Sequence, residues 1–553
     1  MVLIVCIFLF VLVVLIINYR EVQKCTENTW DSLKFILWSP LLVILSLVIA
    51  ATMPLGKLIQ LLVSGAIKIK FGNDYNGILK GTDMAMACNI WQYSFIKIFL
   101  VIEYNKAIAT KPIFEYVKDI MEKNRSQNKM NKKFFSTLDQ SLGYLFFKAI
   151  QIEISDFIRK IPLSEIDLDE TETISVLRKC MSEPLPFEGT ALWDMHVGTQ
   201  PLKWKSNSDP NIEYYPLLVR VHHGIADGTT LVKHLKLIFN DGAVSVKPEV
   251  FPTSQHKQTS HLLMVFKKVW DVSNGVFLFI SAMYVVLFLR GHDKNGLTGK
   301  PFRNDELFHF GNDEGGTYFK KVKRIKKLHG CISFSEIILA AYSASLNQYY
   351  LKHCSHCPKS ITLGLPVVIN RNQFNGIASG NINVKNVDVS NNFVFLQMPL
   401  PVQISTNTDF DPKTPSISRL NAIRKVSKNL RSVSQQQFGY VLIHQFLGCL
   451  PTCVAQTFLR NINSTTAGSF LPGPPKFSFC DGALAISDCL FWLPHIIQIG
   501  ISITTLTFDD RLQMGLSCNG QIDNQSHIDE ILKNVYKQID IIEEELESYF
   551  KIN

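Results

Sequence analysis

The sequence predicts a mixed α/β (α+β) chain of more than one domain, fastened to a membrane by its N-terminus, and three observations predict it. Residues 217–239 pass from an apolar period of two to a period of 3.6, a strand running into a helix. Short apolar runs such as Phe95 to Glu103 and Ile361 to Ile369 read as further strands, interleaved with helical patterns. Two long charge-free stretches fill most of the first 56 residues.

Length and composition fit that class. At 553 residues the chain suffices for two or three domains, and 47% hydrophobic residues with a mean hydropathy of +0.12 is rich for a purely soluble protein. The formal charge of +9 is scattered, with no basic block. It suits an anionic lipid surface or an anionic co-substrate better than nucleic acid. No Walker A loop, dinucleotide fingerprint, kinase set or Gly-x-Ser-x-Gly elbow is present, and no repeat of solenoid period. Twelve Cys lie scattered, many among apolar neighbours, and read as reduced, buried residues. The cluster His353-Cys354-Ser355-His356-Cys357 holds zinc-ligand types but has no second Cys-x-x-Cys pair, so it reads as a polar loop after a helix.

Taken in order, Val2 to Ile17 is wholly apolar and is followed by Asn18, Tyr19 and Arg20, without a basic leader or a small-residue cleavage site. It reads as an anchor. Phe35 to Gly56 is a second charge-free run, about 22 residues, enough to cross a hydrocarbon core of roughly 30 Å. Pro40 and Pro54 bracket or kink it. Residues 1–65 therefore form an anchoring segment, either two crossings or one crossing plus an interfacial helix. Lys57, Lys68 and Lys70 favour a cytosolic body.

Gly81-Thr82-Asp83 opens the first half of the body, within a unit at 66–245. Lys118 to Lys133 is strongly charged and reads as an exposed segment, and Leu163 to Thr173 as an acidic connector. Trp193 reads as core packing and leads into an extended run. The central stretch follows: Leu217, Val219 and Val221 alternate with Leu218, Arg220 and His222, which puts His223 on the face of Val221. Leu231, Val232, Leu235, Ile238 and Phe239 then recur at helical spacing, with Asp227 placed to cap the helix and Gly242 to end it. His222-His223-Gly224-Ile225-Ala226-Asp227-Gly228 thus sits on a strand-to-helix turn, where a histidine can accept a proton from an alcohol. Asp227 can hold the local backbone or pair with Arg220. A bare His-His pair is also what a polar loop or a satisfied core contains; the full seven-residue pattern is more specific.

His222-His223-x-x-x-Asp227-Gly228 resembles the HHxxxDG motif of the chloramphenicol acetyltransferase-like acyltransferases, among them the wax ester synthase/diacylglycerol acyltransferase family. Ala191-Leu192-Trp193 is similar to that family's Pro-Leu-Trp, with Ala191 in place of proline. Asn391-Asn392-Phe393 and the following Pro399-Leu400-Pro401 resemble its Gly-Asn-Arg-Phe and Leu-Pro, with departures at Asn391 and Phe393. Ser335-Glu336 falls where the family has Asn-Asp, and Gly473-Pro474 where it has a Gly-Pro turn. The resemblance runs from about Gly81 to the C-terminus. It implies two chloramphenicol acetyltransferase-like domains enclosing a central active-site tunnel.

After Gly242, Pro248, Pro252, Ser254 and Gln255 mark a linker, and 246–320 reads as a crossover. Val272 to Leu289 is charge-free over 18 residues. Were it to cross the bilayer, the two halves could not share a site, so it lies in the interface or dips into one leaflet, or else is a core helix. The second half, 321–553, opens with Ser333-x-x-Glu336, a capping box. Phe393 to Met398 and Ile499 to Leu506 read as strands, Leu471 to Pro475 as a rigid turn and Ser432 to Gln437 as a polar stretch. Ser526 precedes an amphipathic helix with Ile528, Ile531, Leu532, Val535, Ile539, Ile542 and Leu546 on one side.

The resemblance implies a membrane-bound O-acyltransferase that moves a fatty acyl group from acyl-CoA to a long-chain alcohol or diacylglycerol, giving wax ester or triacylglycerol. His223 would be the general base, His222 and Asp227 would shape the site, Gly228 would let the chain turn and leave room at the base, and Asn392 would face the cleft. No bound cofactor or metal is implied; acyl-CoA is a co-substrate. The expected partners are acyl-CoA, the lipid acceptor and a membrane, that of the endoplasmic reticulum or the plasma membrane, and no nucleic acid. A catalytically silent lipid-binding or scaffold protein on the same fold is the alternative that the departures leave open.

Overall fold

The computed structural model describes residues 2–26, 28–87, 94–127, 129–161, 169–183, 192–239, 278–290, 293–303, 306–368, 389–404, 414–430, 433–460, 464–495 and 499–552. Ala191, Gly242, the linker at 248–255, residues 163–168 and 272–277, and the loop glycines 376 and 380 lie outside them.

The chain opens with two helices, α1 (Val2–Cys25) and α2 (Thr29–Phe71). Pro40 and Pro54 stand inside α2, which continues through both, so neither ends the helix. There follow β1 (Tyr75–Ile78), α3 (Gly81–Ala87), β2 (Phe95–Asn105) and α4 (Ile113–Ser126). Next come β3 (Ser136–Ser141), β4 (Tyr144–Ala149), β5 (Ile158–Lys160), α5 (Glu170–Ser182), β6 (Trp193–Val197), β7 (Ile212–His222) and α6 (Gly228–Phe239). The third apolar run is a short helix, α7 (Phe279–Tyr284), carried on by a π turn at Val285–Leu289.

The second half contributes β8 (Leu307–Asn312), α8 (Thr317–His329), α9 (Phe334–His353), β9 (Ser360–Val368), β10 (Phe393–Pro401), α10 (Pro415–Leu430), α11 (Val433–Tyr440) and α12 (Thr452–Arg460). It ends with β11 (Thr466–Pro472), β12 (Ser478–Phe479), β13 (Leu484–Trp492), β14 (Ile501–Phe508), β15 (Arg511–Cys518) and α13 (Gln525–Ile552).

Two six-stranded sheets carry the body. One has the order β12-β13-β2-β7-β6-β5 and the other β10-β9-β11-β14-β15-β8, with a three-stranded sheet β1-β4-β3 beside the first. Strand β13 belongs by sequence to the second half, yet it pairs antiparallel with β2 from Leu484 opposite Tyr104 to Trp492 opposite Lys97. The second half therefore finishes the first half's sheet. Strand β8, placed in the crossover by sequence, pairs with β15 and edges the second sheet.

Several elements differ from the sequence reading, each for a physical reason. Within 118–133, residues up to Ser126 belong to helix α4, which buries Ile113, Tyr116, Val117, Ile120 and Met121 and turns its charges outward. Residues 466–472 form a strand with parallel partners on both sides, β9 and β14, so Leu471 and Pro472 of the turn read at 471–475 end a strand instead. Residues 433–437 begin helix α11. The capping box is formed: Ser333 Oγ accepts from Glu336 N at 3.4 Å, and Glu336 Oε2 accepts from Ser333 N at 2.7 Å. The seven apolar residues named for the last helix are all buried in the second core. At about 1.5–3 kcal/mol for each fully buried side chain, that stripe fixes α13 across the second sheet.

Candidate active site

The motif turn is built where β7 ends. His222 N donates to Leu192 O and His223 N to Ser94 O, both at 2.7 Å, so the pair is pinned between backbone groups from either side of the strand. His222 is fully buried, its ring edge-on to Phe95 at 5.2 Å. Its Nδ1 accepts the Gly224 N–H at 3.1 Å, which puts the imidazole proton of the neutral ring on Nε2. Burial pushes its pKa down to about 3, so it stays neutral and shapes the turn.

His223 lies 6% exposed, with its ring 5.6 Å from that of Phe393 in the second half. Burial lowers its pKa below the ordinary value, while its own backbone carbonyl, Asp227, Asn391 and Asp83 act the other way. A neutral imidazole at the junction of the halves is the form a proton acceptor needs.

Asp227 caps α6. Its Oδ1 accepts from Thr230 N at 2.8 Å and from Thr229 Oγ1 at 2.7 Å, and its Oδ2 accepts from Asn392 N at 3.0 Å. It does not pair with Arg220, which binds Asp194 in a buried cluster with Arg159 and His196. Gly228 is the first residue of α6; a Cβ there would stand 3.0 Å from Leu471 Cδ1, so the small residue makes room for the second half and does not serve a left-handed turn. Asn392 meets the motif through its backbone, its side chain donating instead to Ser390 Oγ at 3.0 Å.

The residue that joins the halves is Asn391. Its Nδ2 donates to His223 O at 2.7 Å and to Asp83 Oδ1 at 2.8 Å, and its N–H donates to the same Asp83 oxygen at 2.9 Å. Lys133 holds the other Asp83 oxygen at 2.7 Å. Burial raises the Asp83 pKa, opposed by Lys133 and Asn391. The segment is fastened further by Thr230 Oγ1 to Ser390 O at 3.3 Å and Thr82 Oγ1 to Phe393 O at 3.1 Å. Asp83 and Lys133 carry no local motif that would have singled them out. Asn391 did have a signal: set one residue earlier, Ser390-Asn391-Asn392-Phe393 matches the asparagine and phenylalanine of Gly-Asn-Arg-Phe, so neither departs.

Behind β7, a cavity of about 20 Å³ is bordered by Trp193, Val219, Val221 and His234, room for roughly one water. Among the described residues no three His, Cys, Asp or Glu side chains converge as a metal site.

Residues 389–543, which include the Ser390–Phe393 clamp, match the family model described as WS/DGAT C-terminal domain. Over these residues the chain is similar to the WS/DGAT C-terminal domain. Solved structures agree on the fold. The wax ester synthase/diacylglycerol acyltransferase from Marinobacter aquaeolei VT8 superposes with a TM-score of 0.50 at 12% identity, over 84% of this chain and 99% of that one. The trichothecene 15-O-acetyltransferase from Fusarium sporotrichioides gives 0.57 at 10% identity, over 84% and 94%. The first condensation domain of the CDA synthetase gives 0.51 at 12% identity, over 85% and 96%. No curated protein matches the sequence. These neighbours establish a two-domain condensation/acyltransferase-like fold of mixed α/β class.

Proposed function

We propose that this chain is a membrane-bound O-acyltransferase that moves a fatty acyl group from acyl-CoA to a long-chain alcohol or diacylglycerol. The observation that carries the reading is the motif turn with His223 at the contact of the two halves, clamped from the WS/DGAT domain by Asn391. A ring nitrogen of His223 takes the hydroxyl proton as the alkoxide oxygen bonds to the thioester carbonyl carbon. The C–S bond then breaks, and the imidazolium returns the proton to the CoA thiolate. No acyl-enzyme is needed. His222 and Asp227 hold the turn, Gly228 admits Leu471, and Asn392 ties its backbone to Asp227. Substrates reach His223 through a tunnel between the halves, and the acceptor comes from a membrane, that of the endoplasmic reticulum in this reading.

The test is purified protein given radiolabelled acyl-CoA and a panel of alcohols and diacylglycerol. Ester forms with wild type and falls by at least about 10³-fold with His223→Ala, roughly what loss of a positioned base costs. No ester from any acceptor, with lipid binding retained, assigns the chain to the silent lipid-binding alternative.

A further inference from the structure

Helix α2 is 43 residues long, and its buried residues are Ser32, Phe35, Ser39, Leu42, Ile49, Gln60 and Ile67. All seven fall on one 3.5-residue repeat, a continuous seam that winds slowly around the helix, by about 20° per heptad. Away from the seam its surface is largely apolar and uncovered: Leu37 is 79% exposed, Leu61 69% and Ile69 88%.

The seam is fastened to the body at both ends. Near its start, Tyr284 Oη donates to Asp31 O at 2.8 Å, and Asn429 Nδ2 donates to Lys24 O at 2.9 Å at the end of α1. Near its finish, Gln60 Nε2 donates to Gly448 O at 2.7 Å and Ser64 Oγ meets Tyr75 Oη at 2.6 Å. Between these, Phe35, Leu42 and Ile49 pack with Tyr284 and Phe438. Asp31 and Ser64 are about 50 Å apart along the helix at 1.5 Å per residue, more than the roughly 40–45 Å of a bilayer with its head groups. Yet both ends meet one body: Asn429 stands on α10, whose Leu420 and Ile423 lie in the second core, and Tyr75 stands in the first half's small sheet. Asn391 binds those halves together. A bilayer cut across α2 would have to pass through the body.

We propose that α2, with α7, lies along one leaflet in the membrane plane, and that the junction between α1 and α2 is on the same side as the catalytic body. The exposed apolar surface continues from α2 to Phe288, whose ring is 4.9 Å from that of Trp38, and Lys57, Lys68 and Lys70 supply charges that reach to anionic head groups. Helix α2 then neither crosses by itself nor forms a crossing hairpin with α1.

The full-length protein carrying Trp30→Cys, or Leu33→Cys if the first does not accumulate, is expressed, and sealed membrane vesicles are treated with a membrane-impermeant maleimide. Native Cys331, exposed on the body, is the reference, with labelled peptides mapped by mass spectrometry. The expected result is that position 30 and Cys331 label from the same face, both without detergent or both only with it. Labelling from opposite faces means that α2 crosses, and overturns the proposal. Recovery of the protein in the soluble fraction overturns it as well, because the apolar face then meets protein, either a second copy or another partner.

Discussion

Asn391 Nδ2 donates to the carbonyl oxygen of His223 at 2.7 Å and to Asp83 at 2.8 Å, so one amide holds the backbone of the proposed base against a buried carboxylate. The contact comes from 168 residues away in sequence. In Asn391→Ala the His223 carbonyl loses its amide donor, at about 1–3 kcal/mol for a group left buried and unpaired, while Asp83 keeps the residue-391 N–H and Lys133. Acyl transfer should drop by about 10²-fold, the scale of an ångström-sized misplacement, with the loss in kcat and little change in KM. Steady-state kinetics beside a thermal melt check this. A loss confined to the melting temperature would mean that Asn391 serves the fold alone.

Asp227 has two tasks that substitution can separate. Asp227→Ala removes the α6 cap, at about 1 kcal/mol, and strands the Asn392 N–H, at about 1–3 kcal/mol. Asp227→Asn keeps one carbonyl oxygen for the Thr230 N–H and should recover the cap. Denaturant unfolding should rank wild type above Asn and Asn above Ala. Equal stability of Asn and Ala would show that the Asp227 charge, and not its geometry, holds the turn.

How much of this was legible in the sequence depends on the range of the contact. The turn from His222 to Gly228 could be read because strand period, capping acid and helix period lie within about twenty consecutive residues. The Asp83–Lys133–Asn391 group could not, because its members meet only after the two halves close. Helix α4 was obscured by its own charges, although Ile113, Tyr116, Val117 and Ile120 keep a helical spacing. Strand β11 was hidden because its small residues look like a loop. In place they are required: a Cβ on Gly468 would come within 3.0 Å of the Phe470 ring and 3.4 Å of Leu363. The insertion of β13 beside β2 has no local signal at all.

His222 predicts an acid sensitivity. Its folded pKa is depressed to about 3 against an unfolded value near 6.5, so its contribution is complete above about pH 6.5 and is lost as pH falls through that window toward 3. The size is several kcal/mol. Unfolding free energy measured across this range should fall less steeply in His222→Asn, whose amide oxygen can still accept the Gly224 N–H and which does not titrate. A slope unchanged by the substitution would refute the assignment.

His223 must be neutral to accept a proton, and burial lowers its pKa, so the neutral form persists below the pH at which an exposed histidine is half protonated. The profile of kcat/KM should be flat above pH 7 and bend downward only below about 6.5. Asn391 and Asp83 both oppose the depression, Asp83 through its charge. Asp83→Asn should therefore move the bend to still lower pH while reducing the plateau, because Lys133 loses its charged partner. A bend displaced to higher pH would contradict a buried imidazole as the titrating base, and the acceptor's proton would then have to leave by another group.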